Sequence, residues 1–316
     1  MLAQNNTRWR LTITIVVATF CLLGPSRSAA ARDLVGARSQ GMGGSLRANP
    51  IGPTSVYLNP AGMSLAKMYV ISTLYQHRGS DGASQLSAAI VDSVTNQYFH
   101  AGLFYNFVTA SPNFNIAGPG GPMSIERSEQ THETGMATSV ALGPWLMLGL
   151  TGRYINITTE LNEEAPEDMA SPDLSAVTLD LGGIIRLGSS FNIAVVGYNL
   201  IPVDDAFLAY YPQSLGLGAS YSLAGLASLS FDSVLDFSSD PDDKVKVSYH
   251  GGAELFLGKR YALRGGAMHD TLRESTYVSG GLALVNRRIS LEFGLRQQVD
   301  GGSETLLAFS LNLFVQ

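Results

Sequence analysis

Alternation between apolar and polar residues runs through most of this chain. From Met68 onward the pattern repeats in short segments separated by Gly, Pro, Asn, Asp or Ser. Successive side chains of a β-strand point to opposite faces, so each segment is predicted to be a strand with one apolar face. The predicted strands, fourteen in number, are 68–77, 84–91, 98–109, 133–142, 145–157, 175–187, 191–200, 213–222, 226–237, 246–256, 260–269, 276–285, 288–297 and 304–314.

The two faces of each predicted strand differ in character. In the penultimate strand one face is apolar, and the other is small, polar or charged, as shown by Ile289, Leu291, Phe293 and Leu295 against Ser290, Glu292, Gly294 and Arg296. If the apolar face meets lipid, the chain must hydrogen-bond every backbone N–H and C=O group itself. A closed antiparallel barrel does this, because it leaves no unpaired strand edge in the hydrocarbon of the membrane. The alternative is a water-soluble sandwich whose apolar faces pack together.

The connections between predicted strands differ in length. Short and long ones alternate in strict order, and the long ones carry most of the acidic residues. Outer-membrane barrels have short periplasmic turns, longer external loops and an even number of strands, so this pattern favours a transmembrane barrel over the sandwich. The short set includes 143–144, 188–190, 224–225, 258–259 and 286–287, and the long set includes 110–132, 158–174, 201–212, 238–245 and 270–275.

The N-terminus has the features of a secretory signal peptide. Arg8 and Arg10 precede an apolar run from Leu11 to Leu23, and small residues follow up to Ala31. The run is too short for a transmembrane helix. We predict cleavage near Ala31 and export through the periplasm to a bacterial outer membrane.

Removal of residues 1–31 has two consequences for the mature chain. It takes away the one cysteine, so no thiol or disulfide is expected. It also takes away three arginines, which changes the formal charge from −6 to −9. An acidic protein lacks the basic surface that phosphates require, so a nucleic-acid partner is excluded.

Residues 32–67 do not alternate. Glycine and proline recur there, in Gly41-Met42-Gly43-Gly44 and in Asn59-Pro60-Ala61-Gly62. Proline lacks the donor that a β-ladder needs, and glycine favours turns, so this segment is not a regular strand. The chain is thus divided into a signal peptide (1–31), an N-terminal segment (32–67) and a barrel (68–316).

This N-terminal segment resembles the start of the FadL-type proteins, the long-chain fatty-acid transporters of the outer membrane, and of their smaller PorV-like relatives. The likeness lies in the stretch 36–44 and in Tyr57-Leu58-Asn59-Pro60-Ala61-Gly62-Met63, and it continues along the barrel in Val196-Gly197-Tyr198-Asn199-Leu200. The resemblance implies a fourteen-stranded barrel with a lumenal hatch formed by residues 32–67. It implies hatch or gate roles for Gly41, Gly43, Gly44, Asn59, Pro60, Ala61 and Gly62. For Asn59-Pro60 the alternative is a turn that anchors a plug, because Asn side chains cap such turns.

Strand parity places several charged residues on the lumenal face. The candidate ligand-binding residues are Arg153, Arg186, His250, Glu254, Arg264, Glu292 and Arg296, and Asp180 faces the same way. An arginine there can bind a fatty-acid carboxylate in bidentate fashion, and Arg264 and Arg296 are the strongest candidates. The alternative is a network of salt bridges that holds the hatch against the wall, and the near balance of acids and bases favours it.

We find no pattern that indicates catalysis. The five histidines lack metal-ligand spacing, and a Gly-x-Ser-x-Gly elbow is absent from the sequence. We therefore predict no catalytic residues, no metal site and no cofactor. The stretch 118–122 is predicted to be an external loop, since it lacks the lysine of a phosphate loop. The acidic run 240–243 is assigned to a solvated loop, with a divalent cation beside lipopolysaccharide as the alternative.

Two functions from different classes follow. The first is uptake or binding of hydrophobic small molecules such as fatty acids, with outer-membrane lipid and lipopolysaccharide as surroundings. The second, of the PorV-like type, is a docking or assembly subunit that binds partner proteins of a secretion or surface-attachment system. An outer-membrane lipase or acyltransferase is a third and weaker interpretation.

Overall fold

The computed structural model describes residues 36–111, 113–118, 121–161, 173–208, 210–240, 242, 244–258 and 260–315. The predicted signal peptide and its cleavage site lie outside these residues. The strands are β1 (Tyr69–Arg78), β2 (Ser84–Asp92), β3 (Phe99–Ala110), β4 (Asn113–Gly118), β5 (Gly121–Ala141), β6 (Leu146–Leu161), β7 (Leu174–Leu187), β8 (Phe191–Tyr198), β9 (Ser214–Leu223), β10 (Ala227–Asp236), β11 (Lys246–Leu257), β12 (Tyr261–Asp270), β13 (Ser275–Val285), β14 (Ile289–Gln298) and β15 (Thr305–Val315).

The strands close into a barrel. Chain neighbours pair antiparallel except at β3, which pairs with β5 and not with β4, and β15 pairs back onto β1. This ring contains every strand except β4, so the predicted fourteen-stranded antiparallel barrel is confirmed. A single sheet that closes on itself presents no second sheet to its apolar face, so the two-sheet sandwich is wrong. No helix of the described ranges is long and apolar enough to cross a membrane.

The two faces of the barrel wall follow the predicted parity. On β10, Phe231 points outward and is 57% exposed, whereas Ser230 beside it points inward and is 6% exposed. On β15, Phe309, Leu311 and Leu313 point outward, and Ala308 and Asn312 are buried in the lumen. The outward face of the wall is therefore apolar, as a lipid-facing surface requires.

The predicted loop 110–132 is wrong. β3 continues to Ala110, β4 follows it along the same edge, and β5 begins at Gly121, where Gly118 pairs with Gly121. Most of the region is therefore a regular β-ribbon and not an irregular loop, and residues 119–120 of the predicted loop 118–122 lie outside the described residues. Strict alternation of connection lengths is also wrong, because the outer turn 79–83 is shorter than the inner connection 93–98.

The N-terminal residues lie inside the barrel and form no strand. We call residues 36–67 the inner segment. It consists of α1 (Gly36–Gly41), a 3-10 turn at Gly52–Thr54, α2 (Ser55–Leu58) and a 3-10 turn at Pro60–Ser64. Gly43 and Gly44 adopt φ angles of +70° and +77°, which side-chain-bearing residues rarely adopt, so the bend after α1 depends on glycine. Nearly all of residues 37–63 are buried against the inner wall.

Candidate functional site

Glycines of the wall seat the inner segment. A Cβ atom on Gly252 of β11 would lie 2.7 Å from the Met42 Cβ, and one on Gly294 of β14 would lie 2.6 Å from the Ala37 carbonyl oxygen. One on Gly266 of β12 would overlap the backbone at Met42 and Gly43. Lumenal glycines on neighbouring strands therefore let the backbone of the inner segment approach the wall directly.

Asn59 organises the turn at the end of the inner segment. Its side-chain oxygen accepts a hydrogen bond from the Ala61 N–H (3.1 Å), and its side-chain nitrogen donates to the carbonyl oxygens of Arg47 (3.0 Å) and Gly183 (3.4 Å). Pro60 follows as the first residue of the 3-10 turn, where its missing N–H is tolerated. Asn59 thus joins two parts of the inner segment to β7, and it is fully buried.

We expect Asn59→Ala to loosen the inner segment without preventing barrel closure. The change leaves the Ala61 N–H and two carbonyl groups without their partner, and each unsatisfied buried group costs about 1–3 kcal/mol. Limited trypsin digestion of the purified barrel should then cleave at Arg47 faster than in the wild type. Asn286→Ala, which removes a similar cap in the exposed turn between β13 and β14, is the control. Equal cleavage in both variants would contradict an anchoring role.

A buried network of ion pairs fixes α1 to the wall. Arg38 of α1 donates to both oxygens of Glu254 (3.2 and 2.7 Å). Arg264 donates to Glu254 (2.8 Å) and to Glu292 (2.7 Å). The network joins β11, β12 and β14, and the side chains of Glu254 and Arg264 are only 1% and 3% exposed. Two guanidinium groups balance two carboxylates, so the cluster is neutral.

Arg47 makes a second anchor. Its guanidinium pairs with Asp232 of β10 (3.2 Å) and donates to the Tyr198 hydroxyl (2.9 Å). The backbone N–H of Arg47 donates to the same Asp232 carboxylate (2.9 Å). Tyr198 in turn donates to the carbonyl oxygen of Leu58. Side chains of β8 and β10 therefore hold the middle of the inner segment.

The remaining predicted lumenal residues also point inward. Arg186 donates to the Leu65 carbonyl oxygen (3.3 Å). The Nδ1 atom of His250 lies 2.9 Å from the Gly43 carbonyl oxygen. Arg296 pairs with Glu304 (2.7 Å), and its guanidinium lies over the Tyr277 ring. Arg153 pairs with Glu133 (3.2 Å) and with Asp180 (2.7 Å). Every member of the predicted set has a protein partner, and ligand binding by these residues stays a prediction.

A second layer covers the inner segment from the other side. The connection between β8 and β9 folds into the barrel mouth, and we call its described residues, 199–208 and 210–213, the cap. Phe207 and Tyr211 are each 2% exposed and pack with Val203 against Ile155 and Leu174 of the wall. The predicted long connection 201–212 is present, but part of it is buried in the barrel mouth.

The Tyr210 hydroxyl donates to Glu129 of β5 (3.0 Å) and fastens the cap to the wall three strands away from β8. Burial, together with the negative charge of Glu129, raises the pKa of Tyr210. Burial, and then the charge of Glu133, raises the pKa of Tyr211 well above its usual value. Both phenols therefore remain protonated donors.

A chamber of about 150 Å³ lies between the inner segment and the cap. Its floor is formed by Arg47 and Tyr57, its roof by Tyr210 and Tyr211, and Phe104 belongs to its wall. Of the predicted ligand-binding residues, Arg153 and His250 line it, whereas Arg264 and Arg296 do not. The structure thus brings two of the predicted residues together at this lumenal chamber.

Sequence reasoning missed several residues of this site. Glu133 and Asp232 lie on predicted strands with lumenal parity, so the parity that selected Arg153 could have found them. Arg47 and Tyr211 lie in segments without periodicity, where no pattern indicates which way a side chain points. Their positions depend on how the inner segment and the cap fold into the lumen.

A serine, a histidine and a lysine meet at the barrel end where β1 and β3 begin. A ring nitrogen of His100, Nδ1, lies 2.8 Å from the Ser64 hydroxyl, and the Lys67 ammonium lies 2.8 Å from Nε2. An ammonium group only donates, so Nε2 accepts and Nδ1 carries the proton. His100 therefore donates to Ser64 and does not take its proton. Within the described part of the chain no cluster of His, Cys, Asp and Glu could hold a metal ion, and the absence of enzymatic activity stays a prediction.

The acidic run 240–243 is partly described. Asp240 pairs with Lys246 (2.9 Å) and Asp242 with Lys244 (3.0 Å), and the latter pair is well exposed. Residues 241 and 243 lie outside the described residues, as does the greater part of the predicted loop 158–174.

Comparison with known proteins gives a likeness of fold. No protein-family model and no curated protein matches the chain. Among solved structures, the CymD monoaromatic hydrocarbon channel superposes with a TM-score of 0.67 at 15% identity, over 89% of this chain and 98% of that one. The Pseudomonas putida toluene transporter TodX does so with a TM-score of 0.67 at 10% identity, again over 89% and 98%.

A FadL homologue of Pseudomonas aeruginosa is also similar, with a TM-score of 0.60 at 10% identity over 88% of this chain and 97% of that one. Identities this low establish the architecture alone. The chain therefore has the fold of the FadL-type barrels, a closed ring of fourteen antiparallel strands.

Proposed function

We propose that this protein is a channel of the bacterial outer membrane that takes up hydrophobic small molecules. The observation that carries the proposal is the chamber in the lumen, which lies between the inner segment and the cap. A general diffusion pore needs an open water-filled lumen, whereas the inner segment and the cap both fold into this lumen and leave a chamber between them.

The barrel wall supports the outer-membrane location. Its outward face carries exposed apolar side chains on successive strands, such as Leu229, Leu255, Leu263, Leu282 and Leu291. Water would disfavour so continuous an apolar surface, and lipid accommodates it. Solved proteins of the same fold are described as a hydrocarbon channel and as a toluene transporter, and this supports the proposed class of cargo.

The two layers suggest a route. A compound enters from the outer side when the cap moves, rests in the chamber, and leaves when the inner segment shifts from the wall, either to the periplasm or through a lateral gap. Fatty acids are one candidate class of cargo. A long acyl chain needs more room than about 150 Å³, so its passage requires a larger displacement of either layer.

A reversible lock on the cap tests the function. The predicted mature chain lacks cysteine, so Glu129→Cys with Tyr210→Cys supplies a unique thiol pair across the cap contact. A short, reducible bifunctional thiol reagent joins them. We expect cells carrying the protein to accumulate labelled toluene or oleate faster than cells without it, to lose that advantage after cross-linking, and to regain it after reduction. Accumulation that equals that of cells without the protein would overturn the proposal.

A docking subunit is the second candidate, and the β-ribbon favours it. A membrane-spanning strand needs about 9–11 residues, whereas β5 has 21 and pairs with β4 beyond the end of β3. Part of β5 therefore stands clear of the bilayer as a rigid projection. If this function is the correct one, cells with the protein accumulate no more labelled toluene or oleate than cells without it, and deletion of residues 111–128 abolishes co-purification of a cross-linked partner.

A further inference from the structure

Positive charge is concentrated on one side of the inner end of the barrel, the end where β1 begins. This end carries the short turns, which face the periplasm in outer-membrane barrels. The turns 142–145, 188–190 and 224–226 contain no charged residue. Arg260 lies in the turn between β11 and β12, and Arg287 and Arg288 lie in the turn between β13 and β14. We call these three residues the arginine arc.

Backbone pairing places the two turns side by side. The Val285 N–H donates to the carbonyl oxygen of Arg260 (2.7 Å), and the Phe314 N–H donates to that of Arg288 (2.8 Å). The Asn286 side chain accepts from the Arg288 N–H (2.8 Å) and stabilises its turn. Two strand spacings, about 10 Å, separate β12 from β14, and two arginine side chains can span that distance. The arc can therefore bind one group together.

The charges of the arginine arc are not neutralised by the protein. All three side chains are exposed, and none of them forms an ion pair within the described residues. The acids nearest along these strands are Glu254 and Glu292, which point into the lumen and pair there with Arg38 and Arg264. The arc therefore presents three positive charges without a counter-ion, whereas the ion pairs of the lumen are balanced.

Exposed aromatic side chains mark the level at which the inner end meets lipid. Trp145, Tyr221 and Tyr261 are exposed and lie in or beside inner turns. Girdles of such residues lie at the interfaces of outer-membrane barrels, level with the lipid headgroups. Arg260 directly precedes Tyr261 in the chain, so the arginine arc lies at or just beyond the headgroup level.

An apolar surface adjoins the arc on the outward face of the wall. Tyr261 pairs with Leu284 of β13, and Ile289 pairs with Leu313 of β15. All four side chains are exposed. A ligand that covers the whole surface must therefore carry negative charge at one end and be apolar at the other. Inorganic phosphate or an acidic peptide would meet only the charged part, whereas a phospholipid meets both.

We propose that the arginine arc binds the headgroup of an anionic phospholipid in the inner leaflet of the outer membrane. Guanidinium groups donate paired hydrogen bonds to phosphate oxygens, and the acyl chains lie against the apolar wall beside Tyr261 and Leu284. The inference goes beyond the proposed uptake and shares with it only the outer-membrane location.

Native mass spectrometry of the purified mature barrel, released from detergent micelles, tests the site. The probes are dioleoylphosphatidylglycerol and dioleoylphosphatidylcholine, which share their acyl chains and differ in headgroup charge. We expect the anionic lipid to bind roughly tenfold more tightly, since each arginine near an anionic lipid contributes about fivefold in affinity. Arg260→Gln, Arg287→Gln and Arg288→Gln should each remove roughly that factor for phosphatidylglycerol and leave phosphatidylcholine binding unchanged.

Lys244→Gln is the control, because it removes an exposed positive charge at the opposite end of the barrel. It should keep the preference for phosphatidylglycerol. Equal binding of the two lipids in the wild type, or an equal loss in Lys244→Gln, would overturn the site.

Two competitors separate the lipid from other anions. Glycerol 3-phosphate carries the phosphate without the acyl chains, and an oligoglutamate peptide stands for an acidic protein. In large excess neither should displace phosphatidylglycerol, and displacement by either would overturn the lipid assignment. The three arginines lie outside the chamber and the buried ion-pair network, so their variants should keep wild-type uptake. Failure of the lipid site therefore leaves the proposed uptake standing, because the cap lock tests that function separately.

Discussion

Replacing Gly266 with valine will unseat the inner segment and turn a plugged barrel into an open pore. A side chain at this position would overlap the backbone at Met42 and Gly43, and its Cβ atom would lie 2.8 Å from the Gly251 carbonyl oxygen. These are backbone atoms on both sides, so no rotamer change relieves the overlap. Overpacking of this kind costs about 3 kcal/mol, and displacement of the segment into the aqueous lumen avoids that cost. Planar-bilayer recordings should show long-lived openings of high conductance.

Gly265→Val is the matched control, because the neighbouring residue faces outward. The nearest atom to a Cβ atom there is the Ser279 carbonyl oxygen at 4.0 Å, so lipid accommodates the valine. Both variants add the same side chain to the same strand and differ only in the face that receives it. If the two barrels conduct alike, wall glycines do not seat the inner segment.

The sequence predicts the barrel well because lipid imposes a strict pattern. Each membrane-spanning residue on the outer face must be apolar, so period-2 alternation persists through the ring. The last strand is an example, since β15 spans Thr305–Val315 and was predicted at 304–314. A strand that extends beyond the lipid does not need an apolar outer face. In β5, for example, both faces are polar over Glu126–Gln130. The ribbon therefore escaped prediction although its backbone pairing is regular.

The candidate site is predictable only in part. Parity shows that Arg153 and His250 face the lumen, but it does not show which carboxylate each arginine meets. Arg153 pairs with residues on both neighbouring strands, and Arg38 reaches β11 from a segment without periodicity. These pairs depend on strand stagger and on how the inner segment lies in the lumen. The position of Tyr211 depends further on the inward fold of the connection between β8 and β9. The acidic composition of that connection did not indicate an inward fold.

We expect Arg264→Met to release α1 from the wall with a loss of about 3–5 kcal/mol, the cost of removing one partner from a buried ion pair. Two carboxylates, Glu254 and Glu292, would then share the single positive charge of Arg38 in a site that is almost fully buried. Limited trypsin digestion should show rapid cleavage at Arg38, and the thermal unfolding midpoint should fall.

A charge-balanced variant isolates the cause. Arg264→Met with Glu292→Gln leaves Arg38 and Glu254 as a neutral pair at 2.7 Å, so it should regain most of the lost protease resistance although it carries one more substitution. A double variant as weak as the single one would show that lost packing, and not uncompensated charge, releases the segment. If Arg264→Met instead lowers oleate uptake and leaves protease resistance unchanged, that result would assign Arg264 to ligand binding. A residue that only anchors α1 cannot affect uptake while α1 stays in place.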